Sequence, residues 1–323
     1  MKKNVLIFCL ACLCSRGYSQ ATTEPDNYKN FFATFSQNFN AERWDAIVGQ
    51  TSKEFLISVP AQKLTDFLSD LKKQLGLITT SRFGGFSEKQ AATYHVKMDK
   101  AWMDFFVALN ANNQIAGLLV TDVNYNEILP LVRNKVRMQV PFEGEWTIFW
   151  GGDTQKKNYH VSSRAQKNAF DIVLRDSSTR SYRTNGKSNT DYYAFDKKLY
   201  APCDGEIVNV IDGVADNIPG IMNPDQLTGN TVVIRSGKDE YVLMAHFKLN
   251  SIAVKKGQKV KAGDYIGRCG NSGNSSEPHL HLHIMDKPDL KDATGIKCFF
   301  EKITVNGKLM NDYSPQKGEV ISR

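Results

Sequence analysis

Pro278-His279-Leu280-His281-Leu282-His283 alternates imidazole with leucine behind a proline. In a β-strand alternate side chains share a face, so this stretch predicts three imidazoles on one side and leucines on the other. Such a row is costly as packed core and well suited to holding a metal. Of the six histidines, His160, His246, His279, His281 and His283 all fall from about the midpoint of the chain onward, and His95 alone lies outside. That clustering points to zinc, for which histidine is a preferred ligand.

A catalytic zinc keeps about three protein ligands and leaves a position open, with His and carboxylate common among them. An acid is therefore expected among the candidates. Asp171 sits in the apolar run Ala169-Phe170-Asp171-Ile172-Val173-Leu174, where an unpaired carboxylate is expensive to bury and a metal would compensate it. The plain alternative is a strand-edge aspartate facing solvent. Asp176, Asp191 and Asp196 lie in polar stretches and are weaker candidates. His246 ends the strand pattern Tyr241–His246; alone it would be structural, but further imidazoles beside the ligands suit metal-assisted hydrolysis, one taking a proton and one stabilising an oxyanion.

At 323 residues the length suggests two domains. Met1-Lys2-Lys3, an apolar stretch from Val5 to Cys14, and Gly17-Tyr18-Ser19 have the three parts of a secretory signal over residues 1–19. The stretch is shorter than the roughly 20 apolar residues of a membrane span. A lipoprotein signal acylating Cys12 is the minority option, because Cys9 stands where such signals prefer a branched aliphatic residue. Removing the signal takes Lys2, Lys3 and Arg16 from a formal charge of +7 and leaves 38 − 34 = +4. The lysines of 255–261 fit a solvated turn, and no nucleic-acid-binding motif surrounds them. Cys203, Cys269 and Cys298 remain, an odd number that permits at most one disulfide; without close pairing they are expected as packing residues.

Residues 20–27 are polar and expected as a flexible leader. Tyr28, Phe31, Phe32, Phe35 and Phe39 recur at helical spacing, as do Leu64, Phe67, Leu68, Leu71 and Leu75 between Pro60 and Gly76. Strand patterns follow at 93–98, 105–109 and 115–120, which together predict a small α+β domain over 28–121. His95 on such a strand is expected as a packed or surface histidine. After a linker at 122–137, residues 138–323 show short strand patterns separated by Gly, Asp and Asn and no long amphipathic helix. That is the rhythm of an antiparallel sandwich or roll.

His160, Asp171, Met244-Ala245-His246, Val260-Lys261-Ala262-Gly263-Asp264-Tyr265-Ile266-Gly267, Gly270-Asn271-Ser272-Gly273-Asn274-Ser275 and Pro278-His279-Leu280-His281 occur in the order seen in lysostaphin-type zinc endopeptidases of bacterial cell walls. The chain resembles that family over roughly residues 140–305. The resemblance implies His160, Asp171 and His281 as ligands of one Zn2+ per chain, His279 as general base, and His246 as its assistant and as stabiliser of the tetrahedral intermediate. One departure stands out: three residues commonly separate the first histidine from the aspartate, and here ten intervene. Residues 161–170 are then a loop insertion. His283 stands where the family usually has another polar or acidic residue, and is expected to support the site rather than bind metal, since three protein ligands already leave an open site. Leu199–Val208 matches a family strand-turn-strand element, with Gly205 at the tight turn. The N-terminal domain resembles, weakly, small cystatin or nuclear-transport-factor folds that accompany envelope enzymes.

The resemblance implies a secreted zinc metalloendopeptidase, periplasmic or extracellular, that hydrolyses peptide bonds in peptidoglycan stems or cross-links. Two alternatives share the sequence: a non-catalytic envelope regulator of another wall hydrolase, and a zinc peptidase acting on a secreted protein. The full candidate ligand set favours the enzyme.

Overall fold

The computed structural model describes residues 23–87 and 90–323. The expected signal peptide and the first residues of the leader lie outside the described residues. The chain divides into two compact units, with the boundary between Val123 and Asn124.

In the first unit, helix α1 (Asp26–Asn40) begins directly after Pro25, with Asp26 in its first turn, where a negative charge suits the helix dipole. Asp26 and Asn27, expected in the leader, are therefore already helical. Two short helices, α2 (Trp44–Gly49) and α3 (Lys53–Ser58), precede α4 (Ala61–Leu75). Gly76 ends α4 at φ 86°, and a Cβ there would collide with the Asp99 carboxylate. Strands β1 (Ile78–Phe86), β2 (Ala92–Met98), β3 (Trp102–Leu109) and β4 (Ile115–Asp122) form an antiparallel sheet in chain order. Phe31, Phe32, Phe35 and Phe39 pack with Leu64 and Leu68 against this sheet, and Phe32 stacks on Tyr94 with centroids 3.9 Å apart. Buried His95 is paired across the sheet with Asp104, Nδ1 to Oδ1 2.7 Å.

The second unit opens with the short helix α5 (Tyr125–Ile128). Where the sequence suggested a free linker, the backbone is clamped: the buried Glu240 carboxylate accepts from the Lys135 and Val136 amides at 2.8 and 2.9 Å. Asn134 exchanges hydrogen bonds with the Phe299 backbone. The strands are β5 (Trp146–Trp150), β6 (Phe170–Val173), β7 (Lys198–Tyr200), β8 (Gly205–Ile211), β9 (Asn230–Arg235), β10 (Tyr241–Phe247), β11 (Lys259–Val260), β12 (Tyr265–Arg268), β13 (Leu280–Met285), β14 (Gly295–Ile296), β15 (Phe300–Val305), β16 (Lys308–Tyr313) and β17 (Val320–Ser322). Among the described residues the main sheet runs β11-β8-β9-β10-β13-β6-β5-β17-β15-β16, all antiparallel, with β14 on β13; β7 and β12 form a separate pair. The fold is thus an α+β N-terminal unit followed by a mainly antiparallel β unit.

Strand β13 sits between β10 and β6 and realises the alternation of its sequence. Leu280, Leu282 and Ile284 enter the larger core with Val242, Met244 and Ile172, while the imidazoles take the other face. Cys203, Cys269 and Cys298 are buried free thiols. The one disulfide that the count permitted is not formed, and burial pushes the Cys203 thiol up to about 12. Among the described residues no helix is long and apolar enough to cross a membrane.

Candidate active site

Asp171 and His281 face each other across the β6–β13 pairing, so sheet register alone brings them together. The His281 Nδ1 lies 2.8 Å from Asp171 Oδ1, and its Nε2 lies 3.0 Å from His283 Nδ1. His160 reaches the same carboxylate from outside the sheet. It stands in a 3-10 turn (Tyr159–Ser162) capped by Asn158, and its Nε2 is 3.6 Å from Asp171 Oδ1. Asn158 Oδ1 accepts from His160 Nδ1 at 2.8 Å, which fixes the tautomer and leaves Nε2 as the lone-pair nitrogen. That Nε2 is buried and has no hydrogen-bond partner. The ten residues between His160 and Asp171 return to the site because Asn158 Nδ2 also donates to the carbonyls of Gly152 and Ala169 at 3.1 and 2.9 Å.

His279 precedes β13 and donates from Nδ1 to the Glu277 carbonyl at 2.8 Å, with Ser275 Oγ at 3.2 Å. Its Nε2 then faces Asp171 Oδ1 at 3.5 Å. His246 arrives by a less regular route. Strict alternation would place it with Met244 on the core face, but the β10–β9 register shifts between Met244 and Phe247, and His246 adopts φ 64°. A bulge of this kind re-aims a side chain. His246 Nδ1 donates to the Ser272 carbonyl at 2.7 Å, and the ring lies 4.8 Å from that of His279 and 5.8 Å from that of His281. All five site histidines and Asp171 are brought together; His95 belongs to the other unit.

The electrostatics follow from burial around one carboxylate. Burial opposes ionisation of Asp171, but the surrounding imidazoles outweigh it and hold the carboxyl well below its ordinary range. Burial pushes His160 down to about 3, and it holds His246 and His283 well below the usual imidazole value. His279 moves the other way: burial disfavours its charge, and adjacent Asp171 more than offsets this. The centre therefore offers an ionised carboxylate and, at His160, His246 and His283, imidazoles that burial keeps neutral, the forms that bind metal. Two overlapping triads bring donor atoms within 4.8 Å of one another, His160/Asp171/His281 and His246/His279/His281. Only the first contains a carboxylate.

Beside these groups opens a cleft of about 390 Å³, lined among others by Asp171, His279, Phe149, Trp150, Tyr159 and Met222. A larger depression of about 590 Å³ over β8–β10 contains none of the imidazoles. Asn158, Tyr159 and the Glu277 carbonyl were not singled out by the sequence, and Ser272 and Ser275 entered only as members of the motif Gly270–Ser275. The Tyr159 ring lies against that of His160, with centroids 4.0 Å apart. For Asn158 a signal existed, a capping residue two positions before a candidate ligand. Asn158→Ala is expected to weaken metal affinity by about 10–100-fold, as loss of a ligand-orienting partner commonly does; metal titration against a competing chelator checks it.

Residues 188–293 match the model of Peptidase family M23. That segment is similar to peptidase family M23. The matched M23 segment includes His246, His279 and His281, while His160 and Asp171 precede it. The chain is 46% identical over 57 residues to Peptidoglycan DD-endopeptidase ShyA of Vibrio cholerae, covering 18% of this chain and 13% of that protein. It is 28% identical over 151 residues to Endolysin 2638A of Staphylococcus phage 2638A, covering 44% and 29%. Each match thus spans less than a third of its relative. Among solved structures, the catalytic domain of lysostaphin from Staphylococcus simulans aligns at 20% identity and a TM-score of 0.25, over 50% of this chain and 90% of that one.

Proposed function

We propose that the protein is an exported zinc metalloendopeptidase that hydrolyses peptide bonds in peptidoglycan stems or cross-links. The observation that carries this reading is the convergence of His160 Nε2 and His281 Nδ1 on Asp171 Oδ1, at 3.6 and 2.8 Å, with His160 Nε2 buried and unpartnered. An orphaned buried nitrogen aimed at an ionised carboxylate fits a divalent cation. His160, Asp171 and His281 would hold zinc, two neutral nitrogens and one charged oxygen leaving an open position. A zinc ion there supplies Lewis acidity, polarising the scissile carbonyl and activating water for attack.

The remaining steps belong to the chain's own groups. His279 holds its Nδ1 proton on the Glu277 carbonyl and so presents a basic Nε2 beside the centre; it accepts the proton of the attacking water and returns it to the leaving amine. His246, oriented by the Ser272 carbonyl, stands beside His279 and assists, favouring negative charge on the carbonyl oxygen as the tetrahedral intermediate forms. His283 supports His281 by accepting from its Nε2 once Nδ1 is committed to metal. The cleft beside Asp171 and His279 receives the peptide. The curated relative whose name includes peptidoglycan endopeptidase activity supports the choice of substrate class.

The test is incubation of the zinc-loaded protein with purified peptidoglycan, with and without chelator, followed by mass spectrometry of the released fragments. Chelator-sensitive release of peptide-cleaved fragments is expected. Bound zinc without release would move the reading to a regulator or to a protein substrate.

A further inference from the structure

We propose that Arg175 and Lys317 form a cationic lip on the cleft that binds a carboxylate of the peptide substrate. The inference rests on the peptidase reading above and names a substrate feature that reading leaves open. Phe149 and Trp150 line the cleft beside Asp171 and His279, and each carries a cation on its ring. The Arg175 Cζ lies 5.1 Å from the Phe149 centroid and the Lys317 Nζ 3.3 Å from the Trp150 centroid. The two rings meet edge to face at 5.5 Å, so both cations occupy one aromatic ledge. Arg175 stands two residues beyond the cleft-lining Val173, just past the strand that carries Asp171.

Among the described residues neither cation takes part in an ion pair. The acids nearest in sequence are engaged elsewhere: Asp176 accepts from Ser178, Arg180 and Tyr193, and Glu319 from Tyr313 and Gln316. Glu277, also on the cleft, accepts from Ser181. The Arg175 Nε is buried without a hydrogen-bond partner. Partial burial and the Arg175 charge both lower the Lys317 pKa, which is consistent with the two charges feeling each other. Two cations on one ledge repel each other, and an anion placed between them relieves that repulsion. A guanidinium fork with an ammonium beside it fits a carboxylate, and the rings beneath pack the chain that bears it. Stem peptides carry such carboxylates.

The probe is a synthetic N-acetylated stem pentapeptide, made with free carboxylates and with the same carboxylates amidated. Binding of both to the full chain, depleted of metal to prevent turnover, is measured by calorimetry. The acid form is expected to bind roughly tenfold more tightly. In Arg175→Gln/Lys317→Gln the acid form is expected to fall to the level of the amide, while the amide is unchanged and circular dichroism confirms the fold. Should the double variant lose its fold, Lys317→Gln alone, at an exposed position, is expected to weaken the acid form about threefold. Equal affinity for the two forms, no binding of either, or a preference surviving in the variants would overturn the proposal. Peptidoglycan cleavage is scored separately. Chelator-sensitive release without carboxylate preference overturns the lip and leaves the peptidase, whereas carboxylate-dependent binding without release does the reverse.

Discussion

His281→Ala is expected to lose both bound zinc and activity, falling from about one zinc per chain to near none by elemental analysis. His281 Nδ1 is the donor that sheet register holds 2.8 Å from Asp171, nearer than His279 at 3.5 Å or His160 at 3.6 Å. Its removal leaves an ionised, buried carboxylate facing a gap, and of the carboxylate-bearing set only His160 and Asp171 would remain to hold the ion. The strand should survive: Leu280 and Leu282 still fill the core on the opposite face, and circular dichroism would establish that loss of metal is not loss of fold. Zinc retained in this variant would place the metal outside both triads, since His281 belongs to each of them.

His279→Ala separates the two triads. If His160, Asp171 and His281 bind the metal, the variant keeps its zinc and loses turnover by about 10²–10⁴-fold, the usual contribution of a positioned general base. The loss should appear in kcat with little change in KM, because the deleted group acts on a proton in transit rather than on bound peptide. If zinc is lost together with turnover, the His246/His279/His281 set is the ligand set and the roles must be exchanged. Zinc content and kcat from the same preparation decide between them. The geometry supports the first outcome: His279 keeps its Nδ1 on a backbone carbonyl and stands 3.5 Å from Asp171 through Nε2, beside the carboxylate rather than opposite it in the sheet.

Much of the site was legible because β-strand periodicity is local. The alternation of leucine and histidine over 279–283 specifies which side chains share a face before any partner strand is known, and the buried run around Asp171 marked a carboxylate in need of compensation. Helices α1 and α4 were legible for the same reason, each being long enough for its 3.6-residue period to show. Helices α2 and α3, at six residues each, are too short to display that period. Strand β1 is mostly exposed and lacked the apolar alternation that reveals a strand.

The sequence by itself determined that a row of imidazoles would occupy one face of a strand, that a buried acid accompanied it, and that an α+β segment would precede a β-rich one. Only the tertiary structure decided the rest. Asp171 meets His281 through the register of strands more than a hundred residues apart. His160 returns across its insertion because Asn158 accepts from His160 at one end of that loop and donates to the Ala169 carbonyl at the other, and His246 turns into the site through a bulge and a left-handed backbone. The expected linker became part of the β unit when Glu240 captured two of its amides. Each of these depends on which distant backbone groups remain to be satisfied once the sheet has formed, a balance that no local period in the chain encodes.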